Sequence, residues 1–492
     1  MGNALSFLAA DLGAESGRVM VGRFDGDRLS LSEAHRFDSR PVRLPDGLHT
    51  DALRIFSEIQ HGLAAAASQG GEVAGIGVDT WGVDFALLDA DGLLLGNPYH
   101  YRDAIGGTVM ESAFARVPRA EIFGATGVQL MEINTLFQLL RLRERGSAAL
   151  REARRLLMMP DLFSFWLCGR AANEYTIATT SQCLDVAGGR WAVALLERFS
   201  LPAAIFGEIV PPGAVLGDLL THVAEEAGLP PRPVIAVGGH DTALAVAAVP
   251  AAREGFAYVS SGTWSLLGAE IPRPFVGEAS LAANFTNEGG VGGTIRFLKN
   301  LCGLWLVQEC RRHWGRHGEA DPYDRLAEMA AAAPAFCSLV DVDAPEFAAP
   351  GDTPARIHAF CRRTGQPAPE TKGEIVRAAL DSLALKYRYV LAQMEGILQR
   401  RLDPLHVVGG GARNRLLCQL AADATGRAVV AGPVEATAAG NVLMQALALG
   451  HLGSLAEARD VVRRSFEIAT YEPRRDPAVE DAYARLLALV GR

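Results

Sequence analysis

One aspartate interrupts an apolar run that should exclude it. Asp241 lies inside "VIAVGGHDTALAVAAVP", residues 234–250, among alanines, valines and leucines. A carboxylate in such surroundings is costly to desolvate unless a partner or a chemical task holds it there. Two interpretations are open. Asp241 is a positioned base that accepts a proton from a reacting hydroxyl, a helix N-cap before "TALAVAA", since aspartate is a favoured cap, or both.

A glycine-containing turn near the start has the residues to bind phosphate without lysine. The segment "DLGAESGR", residues 11–18, lies between two apolar stretches. Successive backbone N–H groups of such a turn can bind a phosphate, and Asp11 can hold Mg²⁺ through water. Arg18 adds positive charge to the turn or pairs with an acid. The alternative is an ordinary β-turn with a solvated acid.

Two later segments share this design. In "SSGTWSLLG", residues 260–268, hydroxyl groups surround Gly262, and in "VVGGGARN", residues 407–414, three glycines precede a helix. The N–H groups that open a helix can face an anionic ligand, although tight turns explain either segment alone. A P-loop is excluded because no lysine follows a glycine, and "GIGVDTWG" spaces its last glycine too far for GxGxxG.

The surrounding sequence predicts strands and helices that position these turns. Alternating apolar residues predict a β-hairpin over the first twenty-four residues, a similar strand pattern at 73–92, and a second hairpin near residue 255. Residues 405–450 have the pattern strand, glycines, helix, strand, turn, helix. Two such α/β halves predict a duplicated, two-lobed protein with a cleft between the lobes. A long helix is predicted from residue 372, with one apolar face made of Leu380, Leu383, Tyr387, Val390 and Met394.

Composition narrows the class of protein. The 492 residues are 49% hydrophobic and 21% charged, with a net charge of −9, which predicts a soluble globular protein without affinity for nucleic acid. No segment is typical of a membrane span or a signal peptide. Seven cysteines without a CxxC pair predict reduced thiols in the cytoplasm. Whether the chain is a monomer or a homodimer stays open.

Taken in order, five segments carry a family likeness. "DLGAESGR", "DTWGVDF", "GGHDTALAV", "SSGTWSLLG" and "VVGGGARN" resemble the FGGY carbohydrate kinases of the actin-like ATPase superfamily. The resemblance extends from residue 7 to about 441 and implies an α/β fold. Two actin-like, ribonuclease H-like lobes, 1–247 and 248–492, would each have a central mixed sheet flanked by helices. The first would carry the sugar site and first phosphate hairpin, and the second would bind adenosine.

The resemblance also implies a reaction. "YRD", "NEYTIATT", "NFTNEGG" and "GPVEATAAGN" are similar to the members of this family that act on L-rhamnulose. The implied activity is transfer of phosphate from ATP to the 1-hydroxyl of L-rhamnulose, in L-rhamnose catabolism. A kinase for a related ketose such as L-fuculose or L-xylulose is the alternative. Outside this class, the alternatives are a sugar-sensing module and an actin-like ATPase that drives a protein switch. The ATPase alternative predicts ATP turnover that does not depend on sugars.

The family's functional residues transfer to matching positions. Asp241 matches the catalytic base, and Asp11 is expected near Mg²⁺, held through water. The residues expected to contact ATP are Ala14, Glu15, Ser16, Gly17, Arg18, Thr263, Gln308, Gly409, Gly410 and Gly411. The residues expected to contact the sugar are Gly82, His240, Asp241, Thr242 and Asn300.

Two features near these residues need structural answers. Glu15 stands where the family more often has serine or threonine, and a carboxylate facing ATP would repel it, so we expect its side chain to point outward. Asp79, Trp81 and Asp84 flank Gly82 and could contact a polyol. If this segment is a strand, Asp79 and Trp81 share one face and Asp84 lies on the other.

Overall fold

The structure, a computed structural model, describes residues 4–103, 107–319 and 321–490. Its strands and helices alternate along most of the chain. The strands are β1 Leu5–Leu12, β2 Ser16–Phe24, β3 Leu29–Asp38, β4 Val42–Leu44, β5 Gly47–His49, β6 Val73–Thr80, β7 Phe85–Leu88, β8 Arg155–Met158, β9 Asn173–Glu174, β10 Leu184–Asp185, β11 Arg190–Trp191, β12 Ile209–Val210, β13 Ala214–Asp218, β14 Pro233–Ala236, β15 Ala257–Ser261, β16 Trp264–Ile271, β17 Thr286–Gly289, β18 Ile295–Cys302, β19 Leu405–Val408, β20 Val429–Ala431 and β21 Ala469–Tyr471.

The helices flank these strands. They are α1 Ala52–Ser68, α2 Gly107–Arg116, α3 Arg119–Thr126, α4 Thr135–Glu144, α5 Ala148–Glu152, α6 Met159–Cys168, α7 Tyr175–Ala178, α8 Val193–Arg198, α9 Thr221–Ala227, α10 Asp241–Ala247, α11 Glu278–Ala282, α12 Trp305–Arg316, α13 Tyr323–Ala332, α14 Thr353–Arg363, α15 Lys372–Leu398, α16 Arg415–Thr425, α17 Ala436–Ala448, α18 Leu455–Ser465 and α19 Pro477–Leu487. Within the described ranges, no helix combines the length and apolar character needed to cross a membrane.

The first large sheet has the strand order β13-β14-β6-β1-β2-β3. Strands β14, β6 and β1 are mutually parallel, whereas β2 and β3 continue from β1 as antiparallel hairpins. Leu8, Ala10 and Leu12 of β1 are fully buried in the apolar core under this sheet. The predicted mixed sheet with flanking helices is therefore confirmed for this part of the chain.

The second large sheet has the order β17-β18-β16-β15-β19-β20-β21. Strands β15, β19 and β20 are parallel, and β15 pairs with β16 as an antiparallel hairpin. The predicted long helix is confirmed as α15, which begins with a capping box between Thr371 and Glu374. Its predicted apolar face is buried throughout.

The chain divides into two compact units. The first contains the residues up to Ala248 together with Ile271–Phe297 and Ala436–Ser465, and the second contains Val249–Glu270, Leu298–Glu435 and Phe466–Arg492. Helix α17 is thus part of the first unit, where it packs against β1 and β6. The division into lobes 1–247 and 248–492 stays a prediction.

Both predicted hairpins are present, but the strand pattern at 73–92 has a different meaning. Strands β6 and β7 belong to different sheets: β6 lies between β1 and β14, and β7 pairs with β8. The chain bends between them, where Val83 has a φ of 71° and its N–H donates to Thr180 Oγ1 at 3.1 Å. This bend places Gly82 in a turn just beyond the end of β6.

One glycine fixes the position of α10, the helix that begins at Asp241. Gly440 of α17 lies directly against the α10 backbone, and a Cβ at this position would overlap the carbonyl oxygen of Leu244. Only glycine allows two helix backbones to approach this closely without displacing one of them. The packing of α17 on α10 therefore determines where the first residue of α10 lies.

Candidate active site

The carboxyl ends of three parallel strands meet at one edge of the first sheet. Asp11 near the end of β1 and Asp79 near the end of β6 are register partners on neighbouring strands. Beyond β14, the Gly239 carbonyl accepts the Thr80 N–H at 2.9 Å, which brings His240 and Asp241 to the same edge. Ligands of α/β proteins bind at such carboxyl ends. The structure thus brings together Asp11, Gly82, His240, Asp241 and Thr242.

The Asp241 carboxylate is held at one oxygen. Its Oδ1 accepts the Thr242 N–H at 2.6 Å and the Thr242 hydroxyl at 3.2 Å, and it lies 3.3 Å from His240 Nε2. Within the described residues, Oδ2 has no hydrogen-bond partner, and the side chain is 32% exposed. The N-cap interpretation is wrong, because the cap is His240 and Asp241 is the first helical residue. The arrangement leaves one carboxylate oxygen open to a ligand.

His240 is buried against an ion pair. Its Nδ1 lies 2.9 Å from the Arg296 guanidinium and 3.3 Å from Glu288 Oε2, and Arg296 and Glu288 are themselves 3.0 Å apart. Burial acts to raise the pKa of Glu288, but the positive charge of Arg296 lowers it below its usual range. Neither Glu288 nor Arg296 was predicted from the sequence as a functional residue. Their signal was an acid and an arginine in otherwise apolar or glycine-rich stretches.

A second buried carboxylate holds the backbone just before Asp241. Glu174 Oε2 accepts the Gly239 N–H at 2.6 Å and the Thr176 hydroxyl at 2.6 Å, and Thr176 Oγ1 accepts the His240 N–H at 3.3 Å. Burial raises the pKa of Glu174. Glu174 belongs to the segment "NEYTIATT", and its position in the sequence predicts no role for it. It positions the segment that leads into α10.

Asp79 is fully buried and is bound by α17. Asn441 Nδ2 donates to Asp79 Oδ2 at 2.7 Å, and Gln445 Nε2 donates to Asn441 Oδ1 at 2.7 Å. Burial and then the nearby charge of Asp11 raise the pKa of Asp79 well above its usual value, with a smaller contribution from Asp241. The three aspartates therefore influence one another electrostatically. Asp79 contributes hydrogen-bonded structure to this edge rather than an exposed polyol contact.

Trp81 and Asp84 bind each other. Trp81 Nε1 donates to Asp84 Oδ2 at 2.8 Å, and the Tyr101 N–H and Gln138 Nε2 donate to the same carboxylate at 3.2 Å each. Both residues are buried. The suggested strand through this segment is wrong, since β6 ends at Thr80. These side chains brace the turn that contains Gly82.

The buried Asp84 predicts a pH-dependent stability. Burial raises its pKa from 3.8 to about 7, so between these values the folded protein keeps a proton that the unfolded chain has lost. The contribution of Asp84 to the free energy of unfolding is therefore greatest at acidic pH. It declines by about 1.4 kcal/mol per pH unit as the pH rises towards 7. Asp84→Asn should lose this decline in denaturant unfolding measured from pH 5 to 8. The exposed Asp218→Asn serves as control, and identical pH slopes in all three proteins would contradict the assignment.

The first glycine turn is closed and carries compensated charges. The Gly13 N–H donates to the Ser16 carbonyl at 3.0 Å, and Arg18 donates to Asp11 Oδ2 at 2.6 Å, so Arg18 pairs with an acid. Glu15, expected to turn away from phosphate, forms an ion pair with Arg102 at 2.8 Å. Arg102 therefore offsets the negative charge that put ATP binding in question. Ala14, Ser16 and Gly17 lie in or beside this turn.

The remaining predicted residues belong to the second unit. The Thr263 carbonyl, in the β15–β16 turn, accepts the Gly303 N–H at 3.1 Å and the Trp305 N–H at 3.2 Å, which connects the turn to α12 and Gln308. Gly409 and Gly411, on either side of Gly410, lie against Ser261, and a Cβ at Gly411 would overlap the Ser261 hydroxyl. Asn300 lies in β18. The two predicted nucleotide segments are thus neighbours.

Tyr387 stabilises the predicted nucleotide segments of the second unit through a hydrogen bond, which the helical periodicity of the sequence did not indicate. It was predicted only as part of the apolar face of α15. Its buried hydroxyl lies 2.7 Å from Ser265 Oγ, in β16. Burial raises the pKa of the Tyr387 phenol, so the hydroxyl stays protonated. The hydrogen bond therefore joins α15 to the hairpin that carries Thr263.

Two observations bear on metals and cysteines. In the ranges that the structure covers, no three His, Cys, Asp or Glu side chains are arranged as a ready-made metal site. All seven cysteines are free thiols, as predicted. Any cation at the edge of the first sheet would therefore depend on ligand oxygens or water in addition to Asp11.

Family models and relatives cover nearly the whole chain. Residues 6–248 match the N-terminal domain, and residues 257–449 the C-terminal domain, of the FGGY family of carbohydrate kinases. The chain is 45% identical to a rhamnulokinase of Bacteroides thetaiotaomicron, over 97% of this chain and 98% of the relative. It is 41% identical to one of Klebsiella pneumoniae subsp. pneumoniae (96% and 95%) and 38% identical to one of Oceanobacillus iheyensis (94% and 97%).

Solved structures with low sequence identity share the fold. A gluconate kinase from Lactobacillus acidophilus superposes with a TM-score of 0.80 at 15% identity, covering 99% of this chain and 96% of that one. A xylulose kinase from Rhodospirillum rubrum gives a TM-score of 0.78 at 21% identity, covering 98% and 97%. At these identities the likeness concerns the fold alone, and it confirms the predicted fold class.

Proposed function

The chain belongs to the FGGY family of carbohydrate kinases, and we propose that it transfers the γ-phosphoryl group of ATP to the 1-hydroxyl of L-rhamnulose. The products are L-rhamnulose 1-phosphate and ADP, and the reaction serves L-rhamnose catabolism. One observation carries the choice of substrate: rhamnulokinases from three different bacteria are 38 to 45% identical over at least 94% of this chain. The predicted family and enzyme class are confirmed.

We assign the proton transfer to Asp241 Oδ2. Because Oδ1 already accepts two bonds from Thr242 and lies near His240, Oδ2 is the oxygen left to accept a proton. As the sugar O1 forms its bond to the γ-phosphorus, the proton of that hydroxyl passes to Oδ2. The bond between the γ-phosphorus and the β–γ bridging oxygen breaks, and ADP leaves with the electron pair. The 32% exposure of the side chain then allows the proton to return to solvent.

The sugar and nucleotide residues keep the roles that the sequence predicted. In this proposal Gly82, His240, Thr242 and Asn300 contact the sugar, while Asp241 both contacts it and accepts its proton. ATP is contacted by Ala14, Glu15, Ser16, Gly17, Arg18, Thr263, Gln308, Gly409, Gly410 and Gly411. Phosphoryl transfer requires mainly alignment and charge stabilisation from such residues. The free thiols are compatible with the reducing cytoplasm, where we place the enzyme.

The edge of the first sheet fits a hydrated Mg²⁺. Asp11 and Asp241 place two carboxylates there, Arg18 supplies one compensating charge beside Asp11, and Asp79 Oδ1 is buried and has no hydrogen-bond partner among the described residues. This surplus of negative charge favours a cation, and Mg²⁺ prefers carboxylate oxygens and water. We propose that Asp11 holds the ion through water. When bound, Mg²⁺ neutralises charge on the phosphate oxygens.

A ketose panel tests the proposed substrate. ADP formation is measured with ATP and L-rhamnulose, L-fuculose or L-xylulose, and the kcat/KM values are compared. L-xylulose lacks a methyl group, and such a difference in an apolar pocket is worth about 10- to 200-fold. We expect L-rhamnulose to lead by at least about 10-fold. A higher kcat/KM for another ketose would identify that ketose, and not L-rhamnulose, as the substrate. ATP turnover that does not depend on sugars would favour an actin-like ATPase instead.

Gly411 offers a separate test of the nucleotide residues. Its Cβ in Gly411→Ala would overlap the Ser261 hydroxyl, so the loop or the hairpin must move. We expect the KM for ATP to rise about 10-fold, since small misplacements in a binding site have effects of this order or larger, while the KM for the sugar stays unchanged. Gly396→Ala in α15, where a Cβ meets no neighbour, is the matched control. An unchanged KM for ATP in Gly411→Ala would remove this loop from the nucleotide site.

A further inference from the structure

We propose that Arg296 keeps the proton of the His240 imidazole on Nε2, so that His240 serves as a hydrogen-bond donor to Asp241. Arg296 would then be a positioning residue, since it lies behind the ring and acts through it. The mechanistic consequence rests on the proposed role of Asp241. The tautomer itself depends only on the contacts of His240.

The guanidinium group of Arg296 restricts the protonation of the ring nitrogen that it contacts. An arginine side chain has only N–H donors and no acceptor. One Arg296 terminal nitrogen lies 2.9 Å from His240 Nδ1, so Nδ1 must present its lone pair and carry no proton. The ring proton is therefore on Nε2, which lies 3.3 Å from Asp241 Oδ1. At Nδ1 the nearest group is thus the Arg296 donor at 2.9 Å, with Glu288 Oε2 farther away at 3.3 Å, and at Nε2 the neighbouring group is the Asp241 acceptor.

The competing state is an imidazolium. A doubly protonated ring would donate to Asp241 and to Glu288, each at 3.3 Å. It would also place an N–H group against the closer guanidinium at 2.9 Å, a contact between two donors that both carry positive charge. The shorter contact therefore favours the neutral ring.

Arg296 is unable to withdraw from this contact. Its side chain is fully buried, its Nε donates to the Gly289 carbonyl at 2.9 Å, and Glu288 balances its charge at 3.0 Å. Glu174 and Thr176 hold the backbone of His240 from the other side. Both the ring and the cation are thus fixed, which is how an outer group selects the tautomer of a histidine.

The tautomer matters for the oxygen that reacts. With the ring proton on Nε2, 3.3 Å from Oδ1, that oxygen has an N–H group of His240 beside it in addition to the two Thr242 donors. If the proton moved to Nδ1, the Nε2 lone pair would face the carboxylate and repel it. The orientation of Asp241, and with it the exposure of Oδ2, would no longer be defined.

Replacing Arg296 predicts a specific change. In Arg296→Gln, Glu288 Oε2, 3.3 Å from Nδ1, becomes the nearest charged group to that nitrogen and draws a proton to it. In Arg296→Lys, an ammonium group that also only donates preserves the original tautomer. The two variants separate the effect of the donor from general packing.

Proton-detected ¹⁵N NMR of the histidine rings in the full-length protein tests the proposal. The His240 resonances are assigned by their loss in His240→Asn. We expect the Nε2–H pattern in the wild type and in Arg296→Lys, and an Nδ1–H or imidazolium pattern in Arg296→Gln. Arg377→Gln, which removes a buried arginine paired with Asp381 in α15, should leave the His240 pattern unchanged.

Kinetics provide the second readout. Arg296→Gln should lower kcat about 100-fold, the cost expected of a misplaced catalytic group, without changing the KM for ATP, and Arg296→Lys should restore most of the loss. An Nδ1–H or imidazolium ring in the wild type would overturn the proposal even if no variant folds. So would an unchanged pattern in Arg296→Gln. If the enzyme does not act on L-rhamnulose, the NMR result is unaffected. Failure of the proposed substrate and failure of the proposed tautomer can therefore be told apart.

Discussion

Asp241→Asn is expected to lower kcat for sugar phosphorylation by about 10³-fold, within the range that a general base contributes. Asparagine has nearly the same shape and keeps a carbonyl oxygen for the Thr242 bonds, but its amide cannot accept a proton at the position of Oδ2. Steady-state assays with L-rhamnulose and ATP measure the loss. ATP titrations monitored by calorimetry should give a Kd close to that of the wild type.

Stability provides the control for this variant. Because Asp241 is 32% exposed and Oδ2 has no partner within the described residues, the free energy of unfolding should change by no more than about 0.5 kcal/mol. A large drop in the free energy of unfolding would mean that misfolding of the variant explains its lower kcat. Turnover near the wild-type rate in a stable variant would end the general-base assignment.

Glu174→Gln should have the next largest effect, although Glu174 is not a residue expected to contact a substrate. Whichever way the new amide is turned, its NH₂ group faces an N–H donor, that of Thr176 on one side or of Gly239 on the other. An unsatisfied buried group costs about 1 to 3 kcal/mol of unfolding free energy. The displaced backbone before α10 should lower kcat about 100-fold, as small misplacements of a catalytic group do.

Asp381→Asn is the matched control for Glu174→Gln. Asp381 is also buried, and it accepts the Phe336 N–H at 2.7 Å and Arg377 Nε at 2.8 Å in the second unit. Its replacement should lower stability by a similar amount and leave kcat unchanged. If the two variants lose activity in proportion to their stability, Glu174 has a structural role only.

Sequence patterns with short range predicted most of the fold. The hairpins at β1–β2 and β15–β16 depend on alternation around a glycine turn, and α15 depends on a periodic apolar face and its capping box. The prediction failed where pairing is distant. Strand β6 pairs with β1 and β14, and β7 pairs with β8. Because β6 and β7 are adjacent only along the chain, the local sequence does not indicate these partners.

Prediction of the candidate site failed for the same reason, since its residues contact partners that are distant in the sequence. Asp241 was recognisable because a charge interrupts an apolar run. Its supports were not, since Arg296 is 56 positions from His240 and Asn441 is 362 positions from Asp79. A buried arginine or asparagine in an apolar stretch marks a polar partner, but the identity of that partner requires the packing of α17 on the first sheet.

The most direct test of the proposed reaction identifies the sugar carbon that receives the phosphate. Wild-type enzyme and Asp241→Asn are each incubated with ATP and L-rhamnulose labelled with ¹³C at C1, and the products are observed by ³¹P and ¹³C NMR. We expect a ³¹P–¹³C coupling at C1 for the wild type and none over the same period for the variant. Phosphate on another carbon, or an equal C1 signal from the variant, would contradict this expectation.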